Sequence, residues 1–85
     1  MPRIIVYSGP NCPYCERAKA LLKKKSVSFE EINIRTDPGM REEMLQKSNG
    51  KKTIPQIFIN DQHIGGCDDL YALEAAGKLD GLLAS

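Results

Sequence analysis

Short unbroken apolar runs alternate with stretches of helical spacing along this chain, and each change of period marks a candidate element. Ile4-Ile5-Val6-Tyr7 is continuously apolar and rich in β-branched residues, the pattern of a strand buried on both faces. Gly9-Pro10-Asn11 breaks it. From Pro13 to Lys25 the spacing becomes helical: Ala18, Leu21 and Leu22 recur on one side, and Glu16, Arg17, Lys19 and Lys23 face water. Pro13 suits the first helical position, and the closing lysines suit the negative pole of a helix. Val27 to Ile34 reads as a second strand with Phe29, Ile32 and Ile34 in the core, although the alternation slips by one residue around Glu30-Glu31. Asp37-Pro38 is expected to cap and open a second helix through Met40, Met44 and Leu45, stopping at Asn49-Gly50.

Ile57-Phe58-Ile59 forms a third expected strand and His63-Ile64 a short fourth, joined through Asn60-Asp61-Gln62 as a tight hairpin. Gly65-Gly66 ends the sheet. Asp68 through Ala76 reads as a third helix with Leu70, Leu73 and Ala76 inside, and beyond Gly77 the leucines at 79, 82 and 83 cover a flank of the core. The order strand, helix, strand, helix, hairpin, helix implies an α/β fold. Its first two strands are parallel with a right-handed crossover, and one small mixed sheet carries the helices. With 85 residues and no repeat, linker or low-complexity segment, a single domain over residues 1–85 is expected.

Charge removes two classes of function. Twelve Lys and Arg against eleven Asp and Glu leave a formal charge of +1, with no bias toward nucleic acid or an anionic membrane. Basic residues cluster only at Lys23-Lys24-Lys25 and Lys51-Lys52. The apolar run after Arg3 is too short for a signal peptide or a membrane span, so a reducing cytoplasm is the expected location. Structural disulfides do not persist there. The three cysteines, Cys12, Cys15 and Cys67, therefore point to redox chemistry or metal binding.

Cys12-Pro13-Tyr14-Cys15 lies between a buried strand and a helix. Cys12 falls at the N-cap, where its sulfur is expected to accept from the N–H groups of Tyr14 and Cys15. Those donors and the positive helix pole favour thiolate over thiol. Cys15, one turn on, is within the roughly 4.4–6.8 Å Cα separation that a disulfide closes, and is the less exposed of the two. An asymmetric pair follows: Cys12 attacks a substrate disulfide and Cys15 resolves the mixed disulfide. The alternative is a tetrahedral zinc site completed by His63 and Cys67, but Gly65-Gly66 separates His63 from the helix that starts at Cys67. His63 then reads as a hairpin residue with a solvated ring, and no bound metal is expected.

Two further segments bear on a binding site. Thr53-Ile54-Pro55 precedes a strand, and by residue statistics its proline would be trans. Gly65-Gly66-Cys67-Asp68-Asp69 offers a second helix N-terminus, either a site for a carboxylate or a plain capping turn. Cys67 by itself reads as an inert small residue more readily than as a second nucleophile.

Taken in order and spacing, Cys12-Pro13-Tyr14-Cys15, Thr53-Ile54-Pro55 and Gly65-Gly66-Cys67-Asp68-Asp69 resemble the three signatures of dithiol glutaredoxins, the small bacterial type above all. The resemblance covers essentially the whole chain. It implies a thioredoxin fold with strand order 2-1-3-4 and a cis peptide before Pro55. It also implies reduction of protein disulfides and protein–glutathione mixed disulfides, with glutathione as electron donor and cosubstrate and no bound cofactor. Cys12 matches the nucleophile and Cys15 the resolving cysteine. Ile54 matches the residue whose backbone pairs with glutathione's cysteine moiety, Thr53 and Pro55 belong to the same glutathione-binding signature, and Tyr14 flanks the tripeptide. Cys67 and Asp68 match the helix N-terminus that receives the γ-glutamyl carboxylate, and Asp69 the partner of its ammonium group. The partners implied are glutathione and disulfide-containing or glutathionylated proteins, met by a monomer.

The chain departs from the family pattern at Gly9, where many members carry a lysine near the thiolate and the glycyl carboxylate. Arg41 and Lys52 are the candidates for a substitute charge. Two rivals stand beside the glutathione reading: a redoxin served by a flavoprotein reductase, and a binding module holding zinc or an iron–sulfur cluster between two chains. The glycine-cysteine-aspartate segment argues against the first, and Pro13 against the cluster.

Overall fold

A computed structural model describes residues 2–84 of the chain. Four strands, β1 (Ile4–Ser8), β2 (Glu30–Asn33), β3 (Gln56–Ile59) and β4 (Gln62–Gly65), form one mixed sheet in the order β2-β1-β3-β4. β2 runs parallel to β1, while β3 is antiparallel to both β1 and β4. Four helices accompany it: α1 (Pro13–Lys24), α2 (Met40–Lys47), α3 (Cys67–Ala75) and α4 (Leu79–Leu83). This is the thioredoxin fold that the resemblance implied.

The unbroken apolar runs of β1 and β3 are explained by two cores, one on each face of the sheet. Ile4, Val6, Ile57 and Ile59 pack with Ala18, Leu21 and Leu22 of α1, Leu70 of α3 and Leu79 and Leu83 of α4. Alternate residues of the same strands, Ile5, Tyr7 and Phe58, pack with Ile32 and with Met44 of α2. A strand between two such layers has no polar face to offer. The slip in the second apolar run has the same origin: Phe29 packs against the first core, while Ile32 and Ile34 pack against the second.

Several boundaries differ from the sequence reading. β2 is shorter, because Ser26 (φ 60°) turns the chain out of α1 through bonds from Ser26 N–H to Lys23 O and from Val27 N–H to Leu22 O. Asp37 does not cap α2. Pro38 and Gly39 (φ 79°) instead form a turn closed by Met40 N–H to Asp37 O at 3.2 Å, and the helix begins only after it. Proline followed by glycine in that conformation is a type II turn. The β3–β4 connection is a two-residue turn, with Asn60 (φ 51°) and Asp61 (φ 67°) both left-handed and Gln62 already in β4. Ala76 is exposed rather than inside. It caps α3, and Gly77 (φ 73°) reverses the chain through Gly77 N–H to Glu74 O and Lys78 N–H to Leu73 O.

Candidate functional site

The loop after β1 delivers Cys12 to the N-cap of α1 in an extended conformation. The Cys15 N–H donates to Cys12 Sγ at 3.1 Å, whereas the Tyr14 N–H, expected to join it, does not. Cys12 and Cys15 are joined as a disulfide with Cα atoms 5.2 Å apart. Their burial is unequal: Cys15 is fully buried and Cys12 is partly open. The sulfur of Cys12 also lies 3.9 Å from the Ile54 carbonyl oxygen, in the loop that leads into β3. Ile54–Pro55 is a cis peptide, against residue statistics and in accord with the resemblance.

Beside this pair opens a cleft of about 530 Å³, within the range of small-ligand sites. Tyr14, 55% exposed, walls it from α1, and Thr53, Ile54 and Pro55 wall it from the loop. Cys67, Asp68 and Asp69 contribute the start of α3. All seven residues expected around glutathione thus border one cavity.

The α3 terminus is built around Asp69, whose Oδ2 accepts the Gly66 N–H at 2.9 Å. Gly65 (φ 118°) is required beside it, since a Cβ at that position would collide with the Asp69 carboxylate. Cys67 is buried, and burial raises its thiol pKa, with Asp68 adding to the rise and Arg17 opposing it. Such a thiol stays protonated near neutral pH and is a poor nucleophile.

Three polar cleft residues lie outside the motifs, Lys51, Gln56 and His63, and the sequence placed none of them at this site. The only signal for Lys51 was its place in a basic pair two residues before Thr53. Arg41 and Lys52 are exposed and are not among the residues that line either cleft, whereas Lys51 lines the first. The ring of His63 is half-buried rather than freely solvated. It lies 4.9 Å from the Phe58 ring, and Nε2 is 2.7 Å from Gln56 Oε1. Among the described residues, no group of three or more His, Cys, Asp or Glu side chains is placed to hold a metal ion. Nor is any described helix long and apolar enough to cross a membrane.

On its other side, Cys12 borders a second cleft, bounded by Gly9, Pro10, Glu16, Lys19 and Glu31. Lys19 joins Glu16 at 2.6 Å and Glu31 at 2.8 Å, and Glu31 also accepts from Ser8 Oγ at 2.7 Å. Lys19 is therefore engaged in tying α1 to β1 and β2.

Comparison with known proteins agrees with this geometry. The glutaredoxin family model matches residues 4–64. Glutaredoxin 3 of Escherichia coli K12 is 58% identical over 83 residues, covering 98% of this chain and 99% of its own length. A probable glutaredoxin of Synechocystis is also 58% identical, over 98% of this chain and 94% of that protein. Among solved structures, a buckwheat glutaredoxin–glutathione complex superposes with a TM-score of 0.88 at 30% identity, covering 98% of this chain and 77% of that one. With its paired cysteines at a helix N-cap beside a cis-proline loop, the chain belongs to the glutaredoxin family of thiol–disulfide oxidoreductases.

Proposed function

We propose that the cleft beside Cys12 binds the glutathione moiety and that Cys12 is the nucleophile, with Cys15 as the resolving thiol. The observation that carries this reading is the position of Cys12. A partly open sulfur at a helix N-cap lies 3.9 Å from the carbonyl of Ile54, a residue that lines a cavity together with a second helix N-terminus. Ile54 offers its backbone to the cysteine moiety of the tripeptide, Tyr14 flanks it, and Thr53 and Pro55 shape the loop. The N–H groups at Cys67 and Asp68 receive the γ-glutamyl carboxylate. Asp69 gives one oxygen to Gly66 and has a second for the ammonium group. Lys51 provides the cation for the glycyl carboxylate, the role left open by Gly9.

In the monothiol route, the Cys12 thiolate attacks the glutathione sulfur of a protein–glutathione disulfide. A Cys12–glutathione bond forms, and the protein leaves as a thiolate that takes a proton from water. A second glutathione thiolate attacks the bound glutathione sulfur, releasing glutathione disulfide and restoring Cys12. In the dithiol route, Cys12 first forms a mixed disulfide with the protein. Cys15 then attacks Cys12 sulfur, expels the protein thiolate and leaves the Cys12–Cys15 disulfide for two glutathiones to reduce. Each displacement conserves electrons within sulfur chemistry, so no metal or resident cofactor is called for. One copy of the chain suffices, and the reducing cytoplasm supplies the glutathione and the protein substrates.

The test is turnover of a glutathionylated peptide with glutathione, glutathione reductase and NADPH. Saturable NADPH oxidation that depends on the enzyme is expected. No rate above background at micromolar protein would remove the reading.

A further inference from the structure

Three polar side chains that border the cleft form a chain that the sulfur chemistry does not use. Gln56, buried at the start of β3, donates from Nε2 to the Thr53 carbonyl at 3.0 Å and to Thr53 Oγ1 at 3.1 Å. A carbonyl oxygen only accepts, so the amide must turn its nitrogen toward Thr53 and its oxygen away. That oxygen faces His63 Nε2 at 2.7 Å. Because an amide oxygen also only accepts, His63 Nε2 carries a hydrogen, whether the ring is neutral or charged. Phe58 holds the ring by its face, at an interplanar angle of 31°. One contact fixes the ring plane and another fixes the tautomer.

The Gln56 side chain folds back over Ile54–Pro55 to reach Thr53. It therefore pins both ends of the segment whose backbone faces Cys12, in a loop with no regular secondary structure of its own. We propose that His63 is a positioning residue for glutathione recognition. By donating from Nε2 to Gln56 it locks the amide that fastens Thr53, and so holds the Ile54 backbone ready for the tripeptide. The proposal rests on reading this cleft as the glutathione site. Without the donor, Gln56 Oε1 is left buried and unpaired, and the amide can turn away from Thr53. The loss falls on binding and spares sulfur displacement, because the chain ends at Thr53 without reaching Cys12 or Cys15.

The test compares steady-state kinetics on a glutathionylated peptide for the full chain and two variants. His63→Phe keeps a ring against Phe58 and removes the donor; His63→Gln places an amide nitrogen where Nε2 was. KM for the peptide should rise about fivefold in His63→Phe while kcat changes less than about twofold, and His63→Gln should recover most of the loss. An unchanged KM in His63→Phe, an equal fall in kcat, or a His63→Gln variant as impaired as His63→Phe overturns the proposal. The parent protein gives a check that needs no variant: its imidazole nitrogen shifts should show Nε2 protonated. A neutral ring protonated at Nδ1 overturns the assignment regardless of how the variants fold. Absence of saturable turnover in the parent would remove the glutathione reading and this proposal together, an outcome distinct from selective loss in the variants.

Discussion

Cys12 and Cys15 are chemically the same residue, and it is their surroundings that differ. Cys12 is partly open and accepts an N–H from the first turn of α1, whereas Cys15 is fully buried behind it. Cys12→Ser should abolish both routes, since no other thiol occupies that N-cap. Cys15→Ser should keep deglutathionylation largely intact and stop the dithiol route; parallel assays with a glutathionylated peptide and a protein disulfide check this, and equal loss of both would refute the division. Cys67→Ser should keep most activity, because its thiol is held protonated by burial, and should remove one site of off-path oxidation. An inactive but folded Cys67→Ser protein, judged by circular dichroism and assay, would assign that sulfur a reacting role. Residues inside contiguous motifs were legible because their spacing encodes local geometry. Gln56 and His63 were not, because their contact depends on sheet pairing: Phe58 faces His63 across β3 and β4 only once that register exists. Lys51 was not, because the irregular loop before β3 carries no period to place it.

At the scale of elements, the strands and helices were legible and their ends less so. Periodicity reports burial over several residues, while an end depends on one or two backbone conformations. Pro38 illustrates the difference: proline opens a helix or a type II turn equally well, and Gly39 decides for the turn. The end of α1 leads to a measurable consequence. Ser26 occupies the left-handed position that glycine fills at low cost, and it does so because Val27 and Phe29 must reach the core beyond it. Ser26→Gly should relieve that conformation and raise unfolding free energy by about 0.5–1 kcal/mol, read from urea midpoints at constant slope. No gain would mean that glycine's greater freedom in the unfolded chain cancels the relief. At Gly9 the backbone is not left-handed, and a Cβ there would meet only Ile54 Cδ1, at 2.9 Å, the far end of a flexible side chain that can turn aside. Gly9→Lys should therefore fold and lower KM for glutathione through its added charge, an effect that shrinks as ionic strength rises. An unchanged or raised KM in the same coupled assay would show that the added charge does not reach the tripeptide.

Across the whole molecule, ion pairs join elements that the apolar cores already pack together. Lys25, at the end of α1, bridges Glu74 of α3 at 2.8 Å and Asp80 of α4 at 2.9 Å, while Lys19 bridges α1 to β2. None of these pairs was legible in the sequence, where lysines at a helix end read only as partners of its dipole. Together with Tyr7 they predict how stability depends on pH. Lys19 and the Ser8 hydroxyl hold the Glu31 carboxyl below its ordinary value of 4.5. A depressed carboxylate contributes stability that is complete above the unfolded value and is lost as pH falls through the folded one. Both partners keep contact with water, so the contribution is about 0.2–1 kcal/mol and weakens with salt. The Tyr7 hydroxyl is pushed the other way, above its ordinary value of 10.0, first by burial and then by its 2.6 Å hydrogen bond to Glu43. Above that pH the unfolded chain releases a proton that the folded protein retains, so stability falls as pH rises. Burial of Cys67 acts in the same sense from its ordinary value of 9.0, so urea unfolding of the reduced protein should show its plateau between about pH 5 and 9, with a limb on each side that Tyr7 steepens above pH 10. Lys19→Met should flatten the acid limb and leave the Tyr7 part of the alkaline limb in place. Tyr7→Phe should flatten the alkaline limb and leave the acid one. If Tyr7→Phe unfolds along the same alkaline limb as the parent, the loss belongs to Cys67 and to the lysines, whose raised pKa values at Lys19 and Lys25 make the ion pairs fail from the alkaline side instead.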